Sequence, residues 1–154
     1  MMSTEIPTIA EHSFFAGFEP KHIQLLTDYA KYVHFGPGDF IFREGEAAEK
    51  FYLIRQGHVA LQILIPGQQI VTVQTVQENE LLGWSWLFEP YRWHFHARAL
   101  DVTGVIAFDG VALRNKCEED YEFGYMLVKH FANVVTDRLQ ATRVHMLDIY
   151  APKT

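Results

Sequence analysis

Trp84, Trp86, Tyr91, Trp93 and Phe95 crowd between positions 84 and 95, with Arg92 among them. Rings of this kind bury well and can wall a site for a flat, apolar ligand. They can also fill such a site themselves and serve as core, which needs no ligand. Arg92 bears on the choice, because a guanidinium beside an apolar cavity is costly without an anion or another partner. Trp84 and Arg92 are the side chains expected to touch a ligand, and the class expected is small and anionic or aromatic.

His94 and His96 stand two residues apart, which places both rings on one face if the chain is a strand there. Cupins, which share the jelly-roll architecture, begin a metal site this way, but such a site needs a third and usually a fourth ligand. Asp101 falls on the opposite face after a strand reversal, and His34 and His58 are the other histidines of the β region. The pair is read as surface or pocket rim, and a cupin-like metal protein using His94 and His96 stands as an alternative. Ser85 lies between two tryptophans without the G-x-S-x-G turn of a nucleophile. Glu44, Glu46 and Glu49 read as a solvated loop. No nucleophile stands beside a base, so no catalytic residue or metal ligand is assigned and the chain is not read as an enzyme. The lone cysteine, Cys117, excludes an internal disulfide, suits a reducing compartment and is read as a bystander.

The elements that position these residues come from a chain of 154 residues, read as one domain spanning 1–154 with its own core. Hydrophobic residues at 49% against 21% charged exclude a disordered chain. A net charge of −6, with 13 scattered basic residues, works against nucleic acid as the principal partner. The N-terminus has no basic stretch followed by an apolar run, and the longest apolar stretch, about Val59 to Pro66, is too short for a bilayer. A cytoplasmic protein without a membrane partner is expected.

Glu11 to Tyr32 reads as a helix, with Phe18, Ile23, Leu25, Leu26 and Tyr29 on one face and Pro20 near its first turn. From Val33 short runs rich in Val, Ile, Phe and Tyr alternate with Gly and Pro. Val59, Leu61, Ile63 and Ile65 point to one side of a strand, and Ala60, Gln62 and Leu64 to the other. Pro66-Gly67 suits a type II turn onto a strand from Gln69 to Val76. Asp109 is the expected N-cap of the helical region that follows. The fold class is α+β: a β-roll or jelly roll over about 33–108, a short N-terminal helix, and C-terminal helices over about 109–150.

Four stretches carry a resemblance: Phe35-Gly36-Pro37-Gly38-Asp39-Phe40-Ile41, Glu44-Gly45-Glu46, Phe51-Tyr52-Leu53-Ile54 and Gly57-His58-Val59. In glycine spacing and intervening strand they resemble the cyclic-nucleotide-binding domain of the catabolite-activator and kinase-regulatory-subunit superfamily, from about Phe14 to Ile149. Each glycine there is expected to serve a turn where a side chain would clash. The resemblance implies a ligand-holding segment in which Phe-Gly-Glu opens a short helix and an Arg precedes a small residue. The helix N-terminus then receives the phosphate, the Arg pairs with it and the Glu accepts from the ribose. Here the segment begins Leu82-Gly83-Trp84-Ser85-Trp86, with Trp84 in the place of the Glu. Aligned back from Ala97-Arg98-Ala99, Trp93 takes the place of the Arg, and a gap of one residue would substitute Arg92. The ligand-binding residues implied are Gly83, Trp84, Ser85, Trp86, Arg92, Trp93 and His94. Each lost charged hydrogen bond is worth roughly 1.5–3 kcal/mol, so cyclic AMP is expected to bind about 10²- to 10⁴-fold more weakly than in the family.

Val135, Leu139, Thr142, Met146 and Ile149 step by 4, 3, 4 and 3, the spacing of a coiled-coil seam. A seam this narrow is read as a homodimer helix, flanked by Arg138 and Arg143. Transcription factors of the family continue into a helix-turn-helix domain, whereas this chain ends at Thr154, so DNA binding by this chain alone is not expected. The function expected is a regulatory or sensory module that takes a non-standard ligand or none, with no assigned cofactor beyond a possible cyclic nucleotide. It would signal through a partner protein or its dimer. A ligand-free interaction scaffold is the further alternative.

Overall fold

The computed structural model describes residue 9, residues 12–67 and residues 69–150, the side chains at 145 and 148–150 excepted. Eight strands form the body: β1 (Ala30–Phe35), β2 (Phe40–Phe42), β3 (Lys50–Gln56), β4 (Val59–Leu64), β5 (Ile70–Val76), β6 (Leu81–Leu82), β7 (His96–Ala99) and β8 (Thr103–Asp109). They make two four-stranded antiparallel sheets, in the orders β1-β8-β3-β6 and β2-β7-β4-β5. Helix α1 (Pro20–Asp28) precedes them, and α2 (Gly110–Glu119) and α3 (Tyr121–Tyr150) follow. The α+β jelly roll expected from the turn spacing is the fold observed.

Burial explains the two kinds of strand. Phe51, Tyr52, Leu53 and Ile54 of β3 are all buried, as are Thr103 through Phe108 of β8. Continuous apolar runs of this sort belong to strands covered on both faces. Phe51 stacks on Phe108 with centroids 4.5 Å apart, and Phe131 of α3 meets it edge-on at 5.0 Å. The β4–β5 hairpin is open toward its turn, where Leu64, Ile70 and Val73 are exposed. Gly67 closes it at φ +75°, as a type II turn requires. The expected alternation along β4 fails, however: Val59, Ala60 and Leu61 are all buried, and the register with β5 slips between Leu61 and Gln62. Val59 to Leu61 keep unbroken register with β5 and β7, so this end of β4 is covered on both faces and the slip comes after it.

The N-terminal helix is shorter than expected. A 3-10 turn at Ser13–Phe15 and Gly17 at φ +92° precede Pro20, where α1 begins; Glu11 lies outside the described residues. At the other end Ala30 to Phe35 pairs with β8, and six ladder positions override the helical periodicity of Tyr29 to Tyr32. Asp109 caps α2 as expected, its carboxylate accepting from the Ala112 N–H at 3.0 Å. Asp120 does the same for α3 through the Phe123 N–H at 3.2 Å. Phe123, Leu127 and Phe131 bury the inner face of α3, while Tyr125 and Val128 lie exposed on its outer side. Among the described residues no helix is long and apolar enough to cross a membrane.

At Gly57 an added Cβ would lie 2.6 Å from the Val102 carbonyl oxygen, the clash expected of these turns. At Gly45, with φ +88°, an added Cβ would meet nothing within 4 Å, so the left-handed conformation, and not the expected clash, is what asks for glycine.

Candidate functional site

The segment between β6 and β7 folds over the open end of the roll. Gly83 turns the chain at φ +91°, and Ser85–Leu87 forms a single 3-10 turn in place of the expected short helix. Tyr91, at φ +57°, reverses the chain and sends Trp93 inward. The Arg114 guanidinium lies 4.0 Å over the Tyr91 ring and holds this reversal against α2.

A cleft results, with Phe42, Leu61 and Leu82 beneath, Gly83, Trp84 and Ser85 on one rim, and Trp93, His94 and Phe95 on the other. Trp93 fills it. The indole is 5% exposed and stacks on Phe42 with centroids 3.7 Å apart and planes 9° from parallel. A Cβ at position 83 would lie 2.8 Å from Trp93 Cη2, so glycine there makes room for the indole. What remains is a cavity of about 20 Å³. That is enough for roughly one water, whereas pockets for small molecules run to about 300–1,000 Å³.

The rim is tied to itself. Ser85 Oγ and His94 Nδ1 share a hydrogen bond of 3.2 Å, and the Trp84 and His94 rings stack at 5.8 Å. Gly83, Trp84, Ser85, Trp93 and His94 are thus brought together, and two of the expected ligand-binding residues are placed elsewhere. Trp86 turns into the core with no exposure, stacked on Phe51 at 4.8 Å and edge-on to Phe131 at 5.5 Å. Its carbonyl accepts from Arg114, and among the described residues its Nε1 has no partner. Arg92 is exposed, and its guanidinium donates to the Gly45 carbonyl at 2.9 Å.

The cation that does line the cleft is Arg138 of α3, which also donates to the Leu81 carbonyl. Burial pushes its pKa below the ordinary guanidinium value, and the nearby Glu80 opposes that shift. It was expected to flank an outward seam. Its place seven residues after Phe131 (two helical turns on the inner face) was the signal that it faces the roll. Arg138 also borders a more open cavity of about 290 Å³ against His12, Asn79, His130 and Asp137. Tyr52, below the Phe42–Trp93 stack, has its phenol pushed up to about 12 by burial.

His94 and His96 do not share a strand face, because β7 begins only at His96. His96 Nδ1 accepts from the Glu44 N–H at 3.2 Å, and Asp101 is bonded to His58 at 2.7 Å. Among the described residues no group of three ligating side chains includes either His94 or His96.

A family model described as the cyclic nucleotide-binding domain matches residues 32–120. The chain is 25% identical over 141 residues to a CRP-like cAMP-activated global transcriptional regulator of Mycobacterium tuberculosis. That match takes in 92% of this chain and 61% of the regulator's length. A Geobacter metallireducens structure described as a cyclic nucleotide-binding protein superposes with a TM-score of 0.81 at 27% identity, covering 90% of this chain and 99% of that one. The catabolite activator protein of Thermus thermophilus gives a TM-score of 0.67 at 22% identity, covering 86% of this chain and 61% of that one, a likeness of fold.

Proposed function

The chain belongs to the cyclic nucleotide-binding domain family, as a regulatory domain of the CRP-like kind, and we propose that its own Trp93 occupies the ligand position and that its output is pairing through α3. The Trp93–Phe42 stack carries this reading, because it leaves about 20 Å³ where a nucleotide would need several hundred. Trp84 stands where a ribose-binding carboxylate is expected, and Arg92 is spent on the Gly45 carbonyl outside the cleft. A cyclic nucleotide would have to displace a stacked indole and then find neither charged partner. A ligand that does enter is small, flat and apolar, and meets Arg138 as its one charged neighbour among the lining residues.

The route from cleft to output runs through two contacts with α3. Trp86 packs on Phe131, and Arg138 bonds the Leu81 carbonyl. Displacing the rim would move both.

The outer face of α3 supports the pairing. Leu139, Thr142 and Met146 of the expected seam are exposed, and Val135 is half-buried; the side chain of Ile149 lies outside the described residues. The same alternation of four and three continues backwards through Ala132, Val128, Tyr125 and Tyr121, all exposed. An apolar stripe left open along a helix of 30 residues marks an interaction surface. A second copy of α3 matches it in period and length. The lone cysteine favours a cytoplasmic module, and 13 scattered basic residues at a net charge of −6 favour one that does not itself grip DNA.

Thermal unfolding with millimolar cyclic AMP or cyclic GMP tests the closed cleft. A binder present at 100 times its Kd gains about 2.7 kcal/mol, or a shift of roughly 5–11 °C for a domain of this size. No shift is expected, and one of that size would overturn the proposal. Sedimentation equilibrium of the same sample tests the pairing: a dimer is expected, and a monomer at every concentration would sink it.

A further inference from the structure

Outside the cleft, α1 and the first turn of α3 bring three ligating side chains together. A ring nitrogen of His22 and a carboxylate oxygen from each of Glu19 and Glu122 lie within 4.8 Å of one another. The two glutamates are exposed, whereas His22 is 2% exposed. His22 Nε2–H donates to Asp120 Oδ2 at 2.9 Å, and among the described residues His22 Nδ1 has no hydrogen-bond partner.

Helix ends explain part of this. Glu19 is the N-cap residue of α1 and Glu122 sits in the first turn of α3, where acidic groups favour the helix dipole. That account leaves the imidazole unexplained. A buried polar atom without a partner costs free energy, and native structures rarely tolerate one without a reason. A carboxylate bonded to one imidazole nitrogen fixes the tautomer that leaves the other lone pair free, which is how metal-ligating histidines are held.

We propose that Glu19, His22 and Glu122 form a site for a divalent first-row cation, with Asp120 orienting the His22 imidazole. His22 Nδ1 is the nitrogen ligand, and each glutamate supplies one oxygen. Mixed nitrogen and oxygen donors suit zinc or manganese(II) better than magnesium or calcium, which favour oxygen alone. Bonds of about 2.0–2.2 Å ask the two exposed carboxylates to swing inward. Water would complete the coordination. Among the described residues Lys21 is the cation paired with these glutamates, its ammonium 3.6 Å from Glu19 Oε2 in an exposed ion pair, weak enough for a metal ion to displace. An ion bound here would tie α1 to the start of α3, the helix that carries the proposed output.

The test titrates ZnCl2 and MnCl2, with MgCl2 as control, into the full chain freed of metal by chelation and of any affinity tag. Calorimetry and thermal unfolding give the readout. One zinc per chain is expected, with a raised melting temperature and little response to magnesium. Asp120→Asn keeps a capping side chain for α3 and should weaken zinc binding about 10- to 100-fold. The double variant Glu19→Gln with Glu122→Gln changes exposed groups only. Without metal it should melt slightly below the parent, because two helix-end charges are lost, and it should show no further rise with zinc. His22 is buried, so His22→Ala is not the primary variant. No saturable zinc binding would overturn the proposal. So would binding that survives the double glutamine variant, or that disappears only in His94→Ala with His96→Ala. These outcomes are independent of the cyclic nucleotide result, since neither glutamate nor His22 lines the cleft.

Discussion

The segment from Gly83 to Phe95 and the outer face of α3 are both rich in large apolar side chains, and the fold treats them oppositely. Trp86 and Trp93 are 0% and 5% exposed, whereas Leu139 and Tyr121 of α3 are 67% and 79% exposed. In the first set Trp93 turns inward onto Phe42 after Tyr91 reverses the chain, and Trp86 turns inward between Phe51 and Phe131. The second set stays outside because Phe123, Leu127 and Phe131 already occupy the face of α3 that the roll can cover. Packed rings close a site, and an unpacked stripe leaves one open.

The largest effect should come from breaking the inward side. Trp93→Ala removes the stacked ring, and chemical denaturation should show a loss of about 3–5 kcal/mol. The variant should also gain affinity for a flat apolar probe such as indole, read by thermal shift. Unchanged stability would mean that Trp93 does not act as the plug.

Tyr52 tests the same region by pH. Its phenol is held up to about 12 by burial, against 10.0 ordinarily. The folded state keeps the proton while the unfolded chain loses it, so stability should fall as pH rises from about 10 to 12. One pKa unit corresponds to about 1.4 kcal/mol, and the loss should approach 2–3 kcal/mol. Below pH 10 the contribution is fully present. Tyr52→Phe should flatten that alkaline limb, and an identical limb in the variant would refute the assignment.

On the outward side, Leu139→Asp should change the stability of the monomer by less than about 0.5 kcal/mol, as exposed substitutions do. Ultracentrifugation should nonetheless show the dimer dissociating. A large loss of monomer stability would place Leu139 in the core and dissolve the contrast between the two regions.

The smallest effect lies where α3 still packs inward. Cys117 of α2 sits under Gly124, and burial, with Glu118 and Asp120 nearby, pushes its thiol up to about 11. Labelling by a thiol reagent at pH 8 should be slow beside a free cysteine, because the thiolate is the nucleophile. Fast labelling would show that this stretch of helix opens.

Much of the fold was legible because it rests on local rules. Gly67 at a positive φ, Asp109 at a helix start and the unbroken run Phe51 to Ile54 each state their structure within a few residues. The errors came where a distant partner intervened. Tyr29 to Tyr32 kept a helical period, yet pairing with β8 begins at Ala30. The alternation of β4 fails because Val59 to Leu61 are covered on both faces, which depends on what packs over the strand. In the site, the aromatic crowd was visible, but spacing could not say that Trp93 turns inward while Arg92 turns out to Gly45. Arg138 lies next to the seam in sequence, but its spacing from Phe131 sets it on the inner face of α3.

The sequence by itself determined the rhythm of strand, turn and helix, the glycines that mark a family, and the 4–3 stripe of α3, since each depends on periods of two to seven residues. Only the tertiary structure decided which ring fills the cleft, which arginine lines it, and that His22 meets an aspartate 98 residues away. Those contacts depend on how the sheets pair and where the helices then dock, and no local period encodes that.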